Sequence, residues 1–122
     1  MTAPFTKPYS GEERRRLRRY RDASLAEQQG QCFYCKCPID EGNVTGDHKR
    51  ARSRHGPTLR HNIVAACSDC NRAKGNMHWL RFLKCIRNPR PSDSLDIWLA
   101  HFRRRLWKRT WAACKRIERE AA

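Results

Sequence analysis

Two C-x-x-C pairs, Cys32-Phe33-Tyr34-Cys35 and Cys67-Ser68-Asp69-Cys70, constrain this chain more than any other feature. Two intervening residues let both thiolates of a pair reach one face of a tetrahedral ion at ~2.3 Å. A single pair also occurs in redox motifs, but two pairs in a strongly basic chain point to a structural Zn²⁺ held by Cys32, Cys35, Cys67 and Cys70. Such a zinc has no open position and cannot activate water. Its work is to tie the entry of the middle segment to its final helix, which contributes folding free energy outright. Buried thiols or two disulfides are the alternatives. Of the seven cysteines, Cys37 could compete as a ligand, although C-x-C is the poorer match, and Cys85 and Cys114 read as core residues.

Seven is an odd number, no secretory apolar stretch opens the sequence, and no apolar run approaches the ~18 residues needed to span a bilayer. The expectation is an intracellular, cytoplasmic protein without a membrane partner. At 122 residues the chain fits one domain, and a globule of that size gains from a metal staple. Lys and Arg number 27 against 12 Asp and Glu, a net charge of +15 and a pI near 10.3. That charge points to a polyanionic partner, nucleic acid ahead of an anionic membrane surface. A solvated basic surface is the alternative.

The chain divides into four stretches within one domain. Residues 1–9, with Pro4 and Pro8, read as a loose arm. Residues 10–29 read as a basic helix: Ser10 and Glu13 match a capping box in which each side chain accepts from the other residue's backbone N–H. Gly30 ends that helix, and Leu17, Tyr20, Ala23, Leu25 and Ala26 give it a thin docking stripe beside many arginines. Residues 30–78 hold most of the Cys, His, Gly and Asn. Short strands are predicted at 44–48 and 62–66, with a polar loop between them turning at Gly56-Pro57 and a helix from Ser68. Residues 79–122 form C-terminal helices. The long last one is capped by Ser92 or Asp93, with Leu95, Trp98, Leu99, Phe102, Leu106, Ala113 and Ile117 as its core-facing stripe. Trp107, Trp111 and Cys114 widen that stripe, and a dimer contact through the tryptophans stays open.

Between the knuckles stand Gly46-Asp47-His48 and Asn62-Ile63-Val64, and the second knuckle continues as Cys70-Asn71-x-x-Lys74-Gly75. In this order and spacing the sequence resembles the HNH endonuclease family over roughly Gly30 to Met77. The resemblance implies an α+β fold: a small zinc-stabilised ββα-metal core, β-hairpin plus helix, flanked here by an N-terminal helix and C-terminal helices. It also implies one catalytic divalent ion, Mg²⁺ or Mn²⁺, and cleavage of DNA, expected double-stranded, to 5′-phosphate and 3′-hydroxyl ends. A bacterial or phage-infected cell is the expected setting.

Hydrolysis of a phosphodiester needs an in-line water, a base for its proton and a cation for the developing charge. His48 suits the base, since an imidazole of pKa ~6.5 accepts a proton at neutral pH. By resemblance Asp47 and Asn71 are the metal ligands, and oxygen donors suit hard Mg²⁺. The third position is Asn71 where the name-giving pattern has His. Asn62 matches the middle Asn and is expected to support the loop and the base's orientation. Strand alternation alone would send Asp47 and His48 to opposite faces, so the resemblance requires the strand end to twist or bend. Taken singly, these residues could be a turn, a loop histidine, a strand-start cap and a helix cap. Lys49, Arg52, Arg54, His55 and Lys74 are expected to meet DNA, with Lys74 placed on either the backbone of DNA or the hairpin. The arginines of the first helix, and Arg103, Arg104, Arg105, Lys108 and Arg109, would widen the cationic footprint. Two other readings stand beside the enzyme: a non-catalytic zinc-containing DNA-binding module, and a phage or mobile-element nuclease working with packaging proteins or as a homodimer.

Overall fold

The computed structural model describes residues 7–121, and the side chains of 111–115 lie outside that description, so the expectations for Trp111, Ala113 and Cys114 fall outside it too. The elements run α1 (Gly11–Glu27), β1 (Val44–His48), β2 (Ile63–Cys67), α2 (Ser68–Lys74), α3 (Trp79–Arg87) and α4 (Leu95–Ala121). Short 3₁₀ turns at Arg52–Arg54 and Arg60–Asn62 sit between the strands. This is an α+β fold with a hairpin-plus-helix core flanked by helices at both ends. No helix among the described residues is long and apolar enough to cross a membrane.

The hairpin is antiparallel, with Gly46 opposite Ala65, Asp47 opposite Val64 and His48 opposite Ile63. Every residue of β2 is buried, because both of its faces are covered. Val64 and Ala66 belong to a core shared with the four knuckle cysteines, Tyr34, Phe82, Ile86, Ile97 and Ala100. The alternate positions Ile63 and Ala65 face the side on which α1 packs. The free edge of β2 is closed too. Gln28 donates to the Ala65 carbonyl (2.8 Å) and accepts from its N–H (3.1 Å), and Phe33 N–H donates to the same carbonyl (2.9 Å). An unpaired strand edge is thereby removed. At Gly46 the hairpin lies close against α1: a Cβ there would stand 2.9 Å from Leu17 Cδ1, so a larger residue would have to push the Leu17 side chain aside.

α1 starts at Ser10, whose Oγ accepts from Glu13 N–H at 3.0 Å. The reciprocal half of the capping box does not form: the Glu13 carboxylate reaches across to Thr58 and Arg52. The helix ends two residues before Gln29, and Gln29 and Gly30 turn the chain through positive φ of 58° and 77°. Within residues 7–9 the chain is anchored before α1 begins. Tyr9 stacks on His48 and lies under Arg52, whose guanidinium also bonds the Lys7 carbonyl.

α4 departs most from expectation. Its stripe of Leu95, Leu99, Phe102, Leu106 and Ile117 faces outward, with Leu95 73% and Leu106 67% exposed. The buried positions are Ile97 and Ala100. Ser94, rather than Ser92 or Asp93, caps the helix by accepting from Ile97 N–H (3.3 Å), while Asp93 accepts from Arg90 N–H. The orientation follows from what α4 packs on. α2 and α3 are its neighbours, and Arg103 and Arg104 turn inward, Arg104 donating to the Tyr34 carbonyl (2.5 Å).

Candidate active site and metal centre

The four knuckle sulfurs lie within 4.8 Å of one another, all on buried residues. β2 delivers Cys67 to the start of α2, where its sulfur accepts from Cys70 N–H at 3.4 Å. Cys32 Sγ accepts from the N–H groups of Tyr34 and Cys67, each at 3.4 Å. Hydrogen bonds with Cys35, Cys67 and Cys70 hold the Cys32 thiol well below its usual range, and hydrogen bonds with Cys32 and Cys35, helped by burial, push Cys67 and Cys70 above it. A dication at its centre is what makes four thiolates tolerable, so the donor set fits a Zn²⁺-like ion. Cys37 is outside the cluster and donates to the Arg103 carbonyl (3.6 Å). Arg103 donates to Cys70 Sγ (3.8 Å), so this arginine serves the knuckle where a DNA contact was expected.

α2 leaves the knuckle toward the end of β1, and between them opens a cavity of about 250 Å³ bordered by Asp47, His48, Asn71 and Lys74. Asp47 and His48 do obey strand alternation. Asp47 finds its partners on the knuckle side of the sheet: Tyr34 hydroxyl donates to Oδ2 (2.5 Å) and Lys74 Nζ lies 3.3 Å from Oδ1. His48 finds its partners on the α1 side: Nε2 lies 2.9 Å from Thr58 Oγ1, and Tyr9 stacks on the ring. The cavity wraps the strand end and touches both side chains.

Burial pushes the Asp47 carboxyl above its ordinary value, against the pull of the Lys74 ammonium and the Tyr34 hydroxyl. Burial also pushes the His48 imidazole below its ordinary value, reinforced by the Arg52 charge and opposed by Glu13. Asn71 donates from Nδ2 to Thr45 Oγ1 (2.9 Å), which leaves its amide oxygen without a hydrogen bond among the described residues. Asn62 stands away from the cavity and ties the loop together: it accepts from Arg50 N–H (3.0 Å) and donates to the carbonyls of Arg50 (3.2 Å) and Pro57 (2.9 Å). Gly56 closes the same loop so tightly that a Cβ would lie 1.7 Å from the Arg50 carbonyl oxygen.

Of the expected cationic contacts, Lys74 takes the hairpin position. It is 2% exposed and donates to the His48 carbonyl (2.9 Å) as well as facing Asp47. Arg52 borders the cavity and pairs with Glu13 (3.0 Å). Lys49 lies over the rings of Trp79 (5.0 Å) and Phe33 (5.6 Å). Arg54 donates to the Asn76 carbonyl, and His55 is exposed in the left-handed region (φ 65°). A larger depression of about 630 Å³ between α3 and α4, bordered by Arg87, Arg104, Arg105 and Lys108, contains none of the chemical positions. Sequence reasoning missed Tyr34, Tyr9, Thr58 and Glu13. Tyr34 was signalled only by its place inside the first knuckle, and Glu13 was assigned to the helix cap.

Four clustered cysteines that could hold a metal ion clasp the hairpin and the short helix α2 into one small core. Residues 32–77 match the HNH endonuclease family. A stretch of 58 residues, 47% of the chain, is 44% identical to the CRISPR-associated endonuclease Cas9 of Corynebacterium diphtheriae. The chain spans about 5% of the length of that relative. The chain therefore contains an HNH endonuclease domain with its cysteine knuckle.

Proposed function

We propose that this chain is a divalent-metal-dependent endonuclease hydrolysing DNA phosphodiester bonds, with His48 as general base and Asp47 and Asn71 as ligands of a Mg²⁺ or Mn²⁺ ion. The observation that carries the reading is the single cavity bordered by Asp47, His48 and Asn71. The residues fit such an ion. The Asn71 amide oxygen has no hydrogen-bond partner among the described residues, and each Asp47 oxygen keeps a second lone-pair direction beside its present partner. When bound, the ion would neutralise charge on the scissile phosphate and the leaving oxygen.

The chain's own groups supply the rest. His48 is held below its ordinary pKa by burial, so at neutral pH it is an uncharged imidazole able to accept a proton from water. Asn62 fixes the Arg50–Pro57 loop that carries Arg52 to the cavity rim. The exposed arginines of α1 and the net charge of +15 suit the phosphates of a duplex. The word endonuclease in the name of the Corynebacterium relative supports the same class of chemistry.

One observation favours a second reading, a non-catalytic zinc-containing DNA-binding module: both oxygens of Asp47 already have partners in Lys74 and Tyr34. A nicking assay separates the two. Zinc-loaded protein with supercoiled plasmid is expected to cut with Mg²⁺ or Mn²⁺ and to stop with chelator. His48→Ala is expected to lose cleavage by 10²-fold or more, roughly the scale of general-base catalysis. Equal cutting by His48→Ala would remove the base assignment. DNA binding without cutting across a metal series would favour the module.

A further inference from the structure

Thr58 Oγ1 stands between two groups, 2.9 Å from Nε2 of His48 and 2.8 Å from Oε2 of Glu13. A hydroxyl has one proton to donate, and a carboxylate can only accept. Burial would raise the Glu13 carboxyl, but hydrogen bonds from Thr58 and Arg52 and the Arg52 charge outweigh it and hold the group below its ordinary value. Glu13 is therefore a carboxylate at neutral pH, and the Thr58 proton goes to it. Thr58 must then accept from His48, which places a proton on Nε2 and leaves the lone pair on Nδ1. Nδ1 has no hydrogen-bond partner among the described residues, and His48 borders the cavity.

We propose that Glu13, acting through Thr58, is the positioning residue that holds His48 as its Nε2–H tautomer, with Nδ1 as the atom that takes the proton from water. The role of that proton transfer rests on His48 being the base; the tautomer itself does not. Glu13 lies on α1, outside residues 32–77 that match the nuclease family. The basic N-terminal helix is thus part of the site's machinery as well as a cationic surface. Arg52 completes the arrangement by pairing with the second Glu13 oxygen and capping Tyr9 over the imidazole. No proton leaves Thr58 or Glu13 during the reaction. The water proton ends on Nδ1, the hydroxide oxygen bonds phosphorus as the P–O3′ bond breaks, the departing 3′-oxygen takes a proton from solvent, and the Nε2–H···Thr58···Glu13 chain faces the resulting imidazolium with a negative charge at its far end.

Nitrogen-15 NMR of the histidine rings in the zinc-loaded protein tests this directly. The wild type is expected to show protonated Nε2 with a slowly exchanging proton, and unprotonated Nδ1. Thr58→Ser should keep that signature, and Thr58→Val should lose the protected Nε2–H. Glu13→Ala frees the Thr58 proton to point at Nε2 and should move population to the Nδ1–H tautomer. In cleavage assays Thr58→Val and Glu13→Ala should lower kcat about tenfold or more with little change in KM, and Thr58→Ser should restore it. A wild-type Nδ1–H tautomer, or Thr58→Val with unaltered spectrum and kcat, overturns the proposal. Cleavage by His48→Ala would remove the base assignment alone, and the spectrum would still decide the relay.

Discussion

The ammonium of Lys74 and the carboxylate of Asp47 face each other at 3.3 Å with side chains 1% and 4% exposed. The basic position after the second knuckle is thus an internal strut between α2 and the hairpin. Removing one partner of a buried pair leaves an uncompensated charge. Lys74→Met should cost roughly 3–5 kcal/mol in zinc-loaded thermal or denaturant unfolding. The folded fraction should bind DNA with an unchanged salt dependence, because Lys74 meets no phosphate. A drop in the slope of log K against log salt would return Lys74 to the DNA surface.

The knuckle cysteines form much of the knuckle-side core, so metal and fold should be lost together. Cys70→Ala, or a strong chelator, is expected to abolish the cooperative unfolding transition, while Cys37→Ser keeps one zinc per chain and the wild-type circular dichroism spectrum. Elemental analysis with circular dichroism reads both. Zinc loss from Cys37→Ser would put that residue in the coordination set.

The outward stripe of α4 sets a contrast on one helix. Ile97→Ala, at a buried position, should lower stability by about 2–4 kcal/mol. Leu95→Gln and Leu106→Gln, at exposed positions, should stay within about 0.5 kcal/mol of wild type. Melting curves at saturating zinc check the ranking, and a reversed order would mean that α4 is rotated about its axis.

Arg14, Arg15, Arg18 and Arg19 are exposed along α1. If they meet phosphates, converting Arg15, Arg18 and Arg19 to Gln should weaken binding alike on unrelated duplexes. The salt slope should flatten by about 0.9 for each phosphate no longer neutralised. Fluorescence anisotropy across a salt series measures this. A sequence-dependent loss would mean base reading by the helix.

The knuckles, both strands and the start of α2 were legible because each rests on local rules: ligand spacing, short β-branched runs and a cysteine at a helix start. Asp47, His48 and Asn71 could be grouped only through the resemblance to the HNH endonuclease family, since strand alternation alone sends Asp47 and His48 to opposite faces. The face of α4 was not legible. Its apolar stripe has ordinary helical spacing, and which side is buried is set by tertiary packing on α2 and α3, with Ile97 and Ala100 in the core and Arg103 and Arg104 turned toward the knuckle. Glu13 was misplaced for a related reason. Its capping spacing is local, whereas Thr58, 45 residues away, competes for the carboxylate through tertiary structure. Tyr34 gave no separate signal, since its hydroxyl meets Asp47 only once the knuckle and hairpin are packed.

Anomalous scattering from crystals of the zinc-loaded protein soaked in Mn²⁺ tests the catalytic account most directly. The account predicts a manganese peak in the cavity beside His48, liganded by a carboxylate oxygen of Asp47 and the amide oxygen of Asn71, and absent in Asp47→Ala. A protein that cuts DNA in Mn²⁺ with its manganese bound elsewhere, or with the Asp47→Ala peak unaltered, would contradict it.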